Sequence, residues 1–112
     1  MTEARLAASV EASSLMRKVA ANGGFATILA KGDAERGALL LVVTERGRHV
    51  AVLERMLNAG GNYAWQLSGP KSGGATLAEW LQKRRRGDGD LWLIELDVPD
   101  AERFVAETTS KG

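Results

Sequence analysis

The chain has 112 residues, of which 26% are charged and 45% apolar, as expected for one globular domain. A formal net charge of +1 excludes a long-range field that would draw the protein to nucleic acid or to a membrane. The absence of cysteine excludes disulfides, thiolate catalysis and cysteine-based metal sites. Any binding of charged partners must therefore use a local patch.

The chain begins with Met1-Thr2-Glu3-Ala4-Arg5, where the acidic residue argues against a secretory signal peptide. The longest apolar run, residues 38–43, is much shorter than the ~20 residues that span a bilayer. We therefore expect a cytoplasmic protein with a single domain over residues 1–112, whose last residues, 109–112, are frayed.

The N-terminal part predicts a helix and then a strand. Residues 5–10 alternate weakly, which permits either a short strand or an early start of the helix. Apolar residues at helical spacing predict the helix over residues 11–22, with Ser13 or Ser14 as its N-cap. The strand is predicted at residues 25–30.

The middle of the chain predicts three more strands, at residues 38–44, 49–57 and 63–67. A polar turn at 31–37 precedes them, and a tight hairpin turn at 45–48 joins the first two. These strands are short and close in sequence, which favours antiparallel neighbours.

The C-terminal part predicts a helix, a strand and a short amphipathic helix. Thr76 and Glu79 have the spacing of a capping box, so the first of these helices is expected to run from Thr76 to about Arg86. The strand is predicted at residues 91–96 and the amphipathic helix at 100–108.

The expected element order is β-α-β-β-β-β-α-β, in which the first strand depends on the interpretation of residues 5–10. The simplest packing of this order is an α+β fold, an antiparallel meander of four to six strands with two helices on one face. The core is expected to contain Trp65, Trp80, Trp92 and Phe25.

Several predicted strands are apolar on both sides. Residues 39–43, 49–53 and 91–96 do not alternate between apolar and polar, as a strand with one solvated face would. Since two helices cover only one face of the sheet, the other face needs a cover. Either the final segment of the chain or another copy of the chain is expected to provide it.

Candidate catalytic residues are few. The single histidine, His49, lacks a second histidine at metal-binding spacing and is interpreted as an ordinary strand-end residue. The glycine-rich segments 31–37 and 69–74 lack the spacing of a phosphate-binding loop. Glu95 and Asp97 share a strand face, but two acids without a third ligand are typical of a solvated surface. We therefore predict no metal site and no cofactor.

The most concentrated positive charge, Lys83 to Arg86, ends the second predicted helix, where cations stabilise the helix C-terminus. Arg84 follows Trp80 by one turn, so its stem is expected at the edge of the core. The expected carboxylate partner of Arg84 is Asp88, Asp90 or Glu95, and Arg85 is a second candidate for such a pair. Lys83 and Arg86 are expected to face solvent.

The same run permits a nucleic-acid alternative. In that interpretation all four cations bind phosphates while Trp65 or Tyr63 provides a stacking platform for bases. The cations concerned are Lys83, Arg84, Arg85 and Arg86. The net charge of +1 is far below that of a typical nucleic-acid-binding domain.

The segments Lys31-Gly32-Asp33-x-x-x-Gly37-Ala38 and Arg84-Arg85…Asp88-x-Asp90-Leu91-Trp92 resemble a family of small bacterial proteins known as domain of unknown function 1491. The resemblance covers about residues 5–104, and Gly89 stands where the family usually has proline. It implies the fold and no activity, because the family has none assigned. The candidate binding residues that it selects are Lys31, Asp33, Arg36, Arg84, Arg85, Asp88, Asp90 and Trp92.

These observations favour a non-enzymatic interaction module that self-associates or binds a protein partner. A nucleic-acid accessory protein is the alternative. A metal-dependent hydrolase using Asp33, Asp88 and Asp90 is a third hypothesis.

Overall fold

The computed structural model describes residues 6–110, which form one five-stranded sheet and three helices. In chain order the elements are α1 (Ala8–Ala21), β1 (Phe25–Ala30), β2 (Leu39–Glu45), β3 (Arg48–Leu57), β4 (Tyr63–Ser68), α2 (Gly74–Gly87), β5 (Trp92–Asp97) and α3 (Ala101–Thr109). Each strand lies within one residue of its predicted bounds. Within these residues, no helix has the length and apolar character needed to cross a bilayer.

The predicted element order and sheet type are wrong in two respects. Ala8 already belongs to α1, so residues 6–10 form no strand, and residue 5 lies outside the described residues. The sheet is mixed rather than a meander, with the order β1-β5-β2-β3-β4 and with β5 parallel to β2. The α+β class itself is confirmed.

The position of β5 is the reason that the predicted meander is wrong. Neighbours in sequence are usually neighbours in a sheet, which would place β5 beside β4. Instead, the connection through α2 carries the chain past β3 and β2, and β5 is inserted between β1 and β2. The two strands that lack a polar side, β2 and β5, are thereby placed at the centre of the sheet, where both faces are buried.

The helices cover both faces of the sheet, not one. On one face α1 and α3 pack over Leu41, Ile94 and Leu96. On the other face α2 packs over Leu40 and Leu93. The cover expected from the final segment or from another copy of the chain is therefore supplied by α2.

The expected core tryptophans divide between the two faces, and the expected burial of Phe25 is wrong. Trp92 is 2% exposed, while Trp65 and Trp80 are partly buried on opposite faces of the sheet. Phe25 lies at the start of the edge strand β1, packs in neither core and is 75% exposed.

Both predicted N-caps are wrong, and for α1 a tertiary contact determines where the helix begins. The first amides of α1, those of Ala8 and Ser9, donate to the carbonyls of Glu35 and Ala34 at 3.2 and 2.8 Å. This loop caps the helix, so α1 starts before Ser13. Similarly, α2 begins at Gly74, and Thr76 lies inside it with no side-chain cap.

The β2–β3 hairpin forms as its turn sequence predicts. Its two loop residues, Arg46 and Gly47, have φ values of 53° and 79°, which a two-residue hairpin of the right-handed twist requires. Asp97 on β5 stabilises this turn, since its carboxylate accepts hydrogen bonds of 2.9 Å from the amides of Arg46 and Gly47. The two amides lower the pKa of Asp97.

Candidate interaction surface

The two segments that carry the family resemblance pack directly against each other. The Asp33 amide donates to the Asp90 carbonyl at 3.0 Å, and the Trp92 indole Nε1 donates to the Asp33 carbonyl at 2.8 Å. We call this the loop contact, formed by residues 31–37 and 85–92. It lies at the end of the sheet where β2 and β5 begin.

Arg85 joins the two sides of the loop contact. Its Nη1 donates to the Gly89 carbonyl at 2.6 Å, and its Nη2 donates to the Lys31 carbonyl at 2.8 Å. Arg85 therefore has main-chain partners instead of the predicted carboxylate. Its guanidinium holds the end of α2 against the segment before β2.

The aspartates of the loop contact act as turn residues. Asp33 Oδ1 accepts hydrogen bonds from the amides of Arg36 and Glu35 at 2.7 and 2.9 Å, and these bonds lower the pKa of Asp33. Asp88 Oδ1 accepts from the Asp90 amide at 3.1 Å. Side-chain bonds to amides two or three residues ahead are typical of Asx turns.

Most of the predicted binding residues are therefore brought together, but mainly to hold the main chain. The loop contact gathers Lys31, Asp33, Arg36, Arg85, Asp88, Asp90 and Trp92. The side chains of Lys31 and Asp90 lie at the surface. Within residues 6–110, no group of three or more His, Asp or Glu side chains is arranged to hold a metal ion.

Arg84 lies apart from this group, and its predicted partner is wrong. Its guanidinium binds Glu54 of β3 through both terminal nitrogens, one at 2.7 Å. It lies over the Trp80 ring, 5.4 Å from the centroid. The pKa of Arg84 is raised chiefly by the bonds to Glu54, and the charge of Asp88 contributes least. The pair fastens α2 to the sheet.

This ion pair predicts a pH-dependent stability. The hydrogen bonds from Arg84 lower the pKa of Glu54, so the stabilisation is complete above the unfolded-state pKa of about 4.3. It is lost as the pH falls through the folded-state value. We expect Glu54→Gln to lower the free energy of unfolding by about 1–2 kcal/mol at neutral pH. Urea titrations of both proteins from neutral to acid pH should show this difference shrink; a constant difference would contradict the role of the charge.

The nucleic-acid alternative requires residues that the fold separates. Lys83 and Arg86 are exposed on α2, the helix that packs through Trp80 over Leu40 and Leu93 on one face of the sheet. Trp65, the proposed stacking platform, packs with the core on the opposite face, and Tyr63 shares its side of β4. The four cations and the platform therefore do not form one surface.

His49 lies near the start of β3, as predicted. Its Nε2 is 3.2 Å from the Pro70 carbonyl, which can only accept a hydrogen bond, so this nitrogen carries the proton. The other ring nitrogen, Nδ1, is buried without a hydrogen bond to the described residues. Buried polar atoms of this kind usually bind ordered water.

A groove between α1 and α3 was not found from the sequence. Its volume is about 570 Å³, and Arg55 and Trp65 form part of its floor. Arg55 binds Glu11 of α1 and lies over the Trp65 ring, 5.8 Å from its centroid. Phe104 of α3, predicted as part of an amphipathic helix, lines one wall. Only the packing of two distant helices creates this cleft.

The most exposed apolar surface lies at the edges of the sheet. Beside the groove, Leu57, Tyr63 and Leu67 are 60%, 59% and 65% exposed. The register of β3 and β4 places them on the same face. We call these three residues the β4 patch. At the opposite edge, Phe25 and Leu29 of β1 are also exposed.

Both edges lie in stretches without charge. Residues 56–70, which include β4, contain no Asp, Glu, Lys or Arg, and neither do residues 19–30, which include β1. Edge strands are usually protected from pairing by charged residues, proline or bulges. These are the two longest uncharged stretches of the chain, and the next longest, residues 37–44, includes most of the buried strand β2.

The fold and this surface define a small α+β domain with helices on both faces of the sheet and with uncharged sheet edges. The sequence model of a family described as "Protein of unknown function (DUF1491)" matches residues 6–106. The chain therefore belongs to this family, and the resemblance inferred from the two motifs is confirmed. None of the curated proteins matches the chain significantly.

Solved structures of similar proteins have the same fold. A crystal structure of a DUF1491 family protein from Caulobacter crescentus superposes with a TM-score of 0.80 at 25% identity, over 89% of this chain and 94% of that one. An NMR structure from the same organism gives 0.76 at 25%, over 88% and 91%. The solution structure of a structural genomics target from A. tumefaciens gives 0.72 at 26%, over 87% and 89%.

Proposed function

We propose that this protein is a non-enzymatic interaction module that self-associates or binds another polypeptide through an edge of its sheet. The observation that supports this is the β4 patch, whose three apolar side chains are each more than half exposed beside an edge strand without charge. Burial of such side chains contributes roughly 25 cal/mol per Å² of apolar surface. Monomeric proteins seldom leave contiguous apolar patches bare.

The loop contact supports the same proposal by its chemistry. The guanidinium of Arg85 and the carboxylates of Asp33 and Asp88 all bind main-chain groups. Groups used in this way hold the fold and are poorly placed to act on a substrate. The residues of the family motifs therefore serve the scaffold that presents the edges.

Sedimentation velocity at micromolar and at tens-of-micromolar protein tests self-association. We expect the weight-average sedimentation coefficient to rise with concentration. The rise should persist in high salt, because an apolar interface is not screened as ion pairs are. A single monomeric species at every concentration would contradict self-association, and an association abolished by salt would contradict an apolar interface.

A further inference from the structure

We infer that the partner at the β4 edge is a second copy of this chain, and that two β4 strands pair antiparallel across a twofold axis. The two sheets then join into one continuous sheet. This inference rests on the proposed function and names its partner. A twofold interface uses the same surface on both copies, so the surface must be complementary to itself.

Absence of charge makes the β4 edge self-complementary. When a strand pairs with its own copy across a twofold axis, a charged residue close to the axis lies near the same charge of the other copy, which is destabilising. Residues 56–70 carry no charge, so this penalty is absent along β4 and the turns on both sides of it. A different protein partner is usually selected by complementary charges, and this edge offers none.

The backbone of β4 is better suited to pairing than that of β1. Its register with β3 runs without interruption from Tyr63 to Ser68. The register of β1 shifts between Ile28 and Ala30, and an irregularity of this kind is one way in which edge strands avoid pairing. Of the two uncharged edges, β4 is therefore the one available to another strand.

Side-chain direction limits the register of the pair. Residues directly opposite each other in an antiparallel pair point to the same face. Tyr63, Trp65 and Leu67 of one copy therefore lie opposite residues of this same set in the other copy, and not opposite Ala64 or Gln66. An axis at Trp65 places Tyr63 of each copy opposite Leu67 of the other. The β4 patches of the two copies then form one apolar surface.

Cysteine cross-linking tests this arrangement, since the chain has no cysteine of its own. The variant Tyr63→Cys/Leu67→Cys is expected to form a covalent dimer on mild oxidation, because opposite residues in an antiparallel pair lie at disulfide distance. The two new thiols within one chain are about 13 Å apart and cannot pair with each other. Phe25→Cys/Leu29→Cys has the same separation in sequence on β1 and is the control, expected to give no covalent dimer.

The outcomes separate this inference from the proposed function. If the unaltered protein sediments as a dimer but only the β1 variant cross-links, or neither does, the β4 pairing is overturned while self-association stands. If the unaltered protein is monomeric, the β4 pairing and self-association are both overturned, and only the binding of another polypeptide is left of the proposed function.

Introducing a charge into the uncharged β4 edge gives a second test of the pairing. Leu67→Lys removes apolar surface and places a charge opposite Tyr63 of the other copy, so we expect the dimer dissociation constant to rise at least about tenfold. Leu67 is mostly exposed, so the variant should keep its fold, which circular dichroism checks. Phe25→Lys on β1 is the control, expected to leave the constant unchanged; an equal effect of both substitutions would overturn the assignment to β4.

Discussion

Replacing Trp92 with alanine is expected to lower the free energy of unfolding by about 3–5 kcal/mol, a large share of the stability of a small domain. Trp92 is 2% exposed and belongs to the core beneath α1 and α3. Its indole also donates to the Asp33 carbonyl, so the substitution both leaves a cavity and removes a hydrogen bond of the loop contact. Urea denaturation followed by circular dichroism measures the loss.

Trp92→Phe separates the two contributions. Phenylalanine keeps most of the apolar volume but cannot donate the hydrogen bond to Asp33, so we expect an intermediate loss of about 1–3 kcal/mol. If the alanine variant were less than about 1 kcal/mol below the unaltered protein, which is typical of surface substitutions, the central role of this side chain would be wrong.

Gly37→Ala is expected to destabilise the protein by about 1–3 kcal/mol, since overpacking forces the backbone to shift. An alanine Cβ at this position would lie 2.2 Å from the Asp90 carbonyl oxygen and 2.8 Å from Trp92 Cδ1. The segments of the loop contact would have to separate. The midpoint of thermal or urea unfolding reports the change.

Gly87→Ala is the matched control for this substitution. Gly87 ends α2, and an added Cβ there has no atom within 4 Å. Both substitutions reduce the conformational entropy of the unfolded chain equally, so their difference isolates the clash at Gly37. We expect Gly87→Ala to be neutral or slightly stabilising; equal destabilisation by both would contradict the close packing of the loop contact.

The loop contact gives a physical reason for the motifs that identify the family. An added Cβ at Gly32, like one at Gly37, would meet the Asp90 carbonyl oxygen, here at 2.0 Å. The Gly-Asp turn and the Asp-x-Asp-Leu-Trp segment are therefore two halves of one packing arrangement. They are separated by more than fifty residues in the chain, and their joint appearance reflects their contact.

Local chemistry made the strands predictable but not their arrangement. The Arg46-Gly47 turn and the glycine-rich loops delimit the strands within one residue. The apolar character of β2 on both sides correctly indicated that both faces are covered. That α2 supplies the second cover could not be read from the sequence, because the insertion of β5 between β1 and β2 is a choice of topology.

The candidate site was predictable to a similar extent. The two loops with polar motif residues were identified, and Arg85, Asp33 and Trp92 do meet there. The partner of Arg84 was missed because Glu54 is thirty positions earlier in the chain and no local spacing relates them. The groove between α1 and α3 and the β4 patch were missed for the same reason.

The sequence by itself determined the family, the α+β class, the strand positions and the absence of charge over residues 56–70. These properties depend on turn chemistry, periodicity and composition, which act over a few residues. Only the tertiary structure decided that the uncharged stretch forms an edge of the sheet and that its apolar side chains are left uncovered. Whether a strand is central or at an edge depends on which distant strand pairs with it, and that is a property of the whole fold.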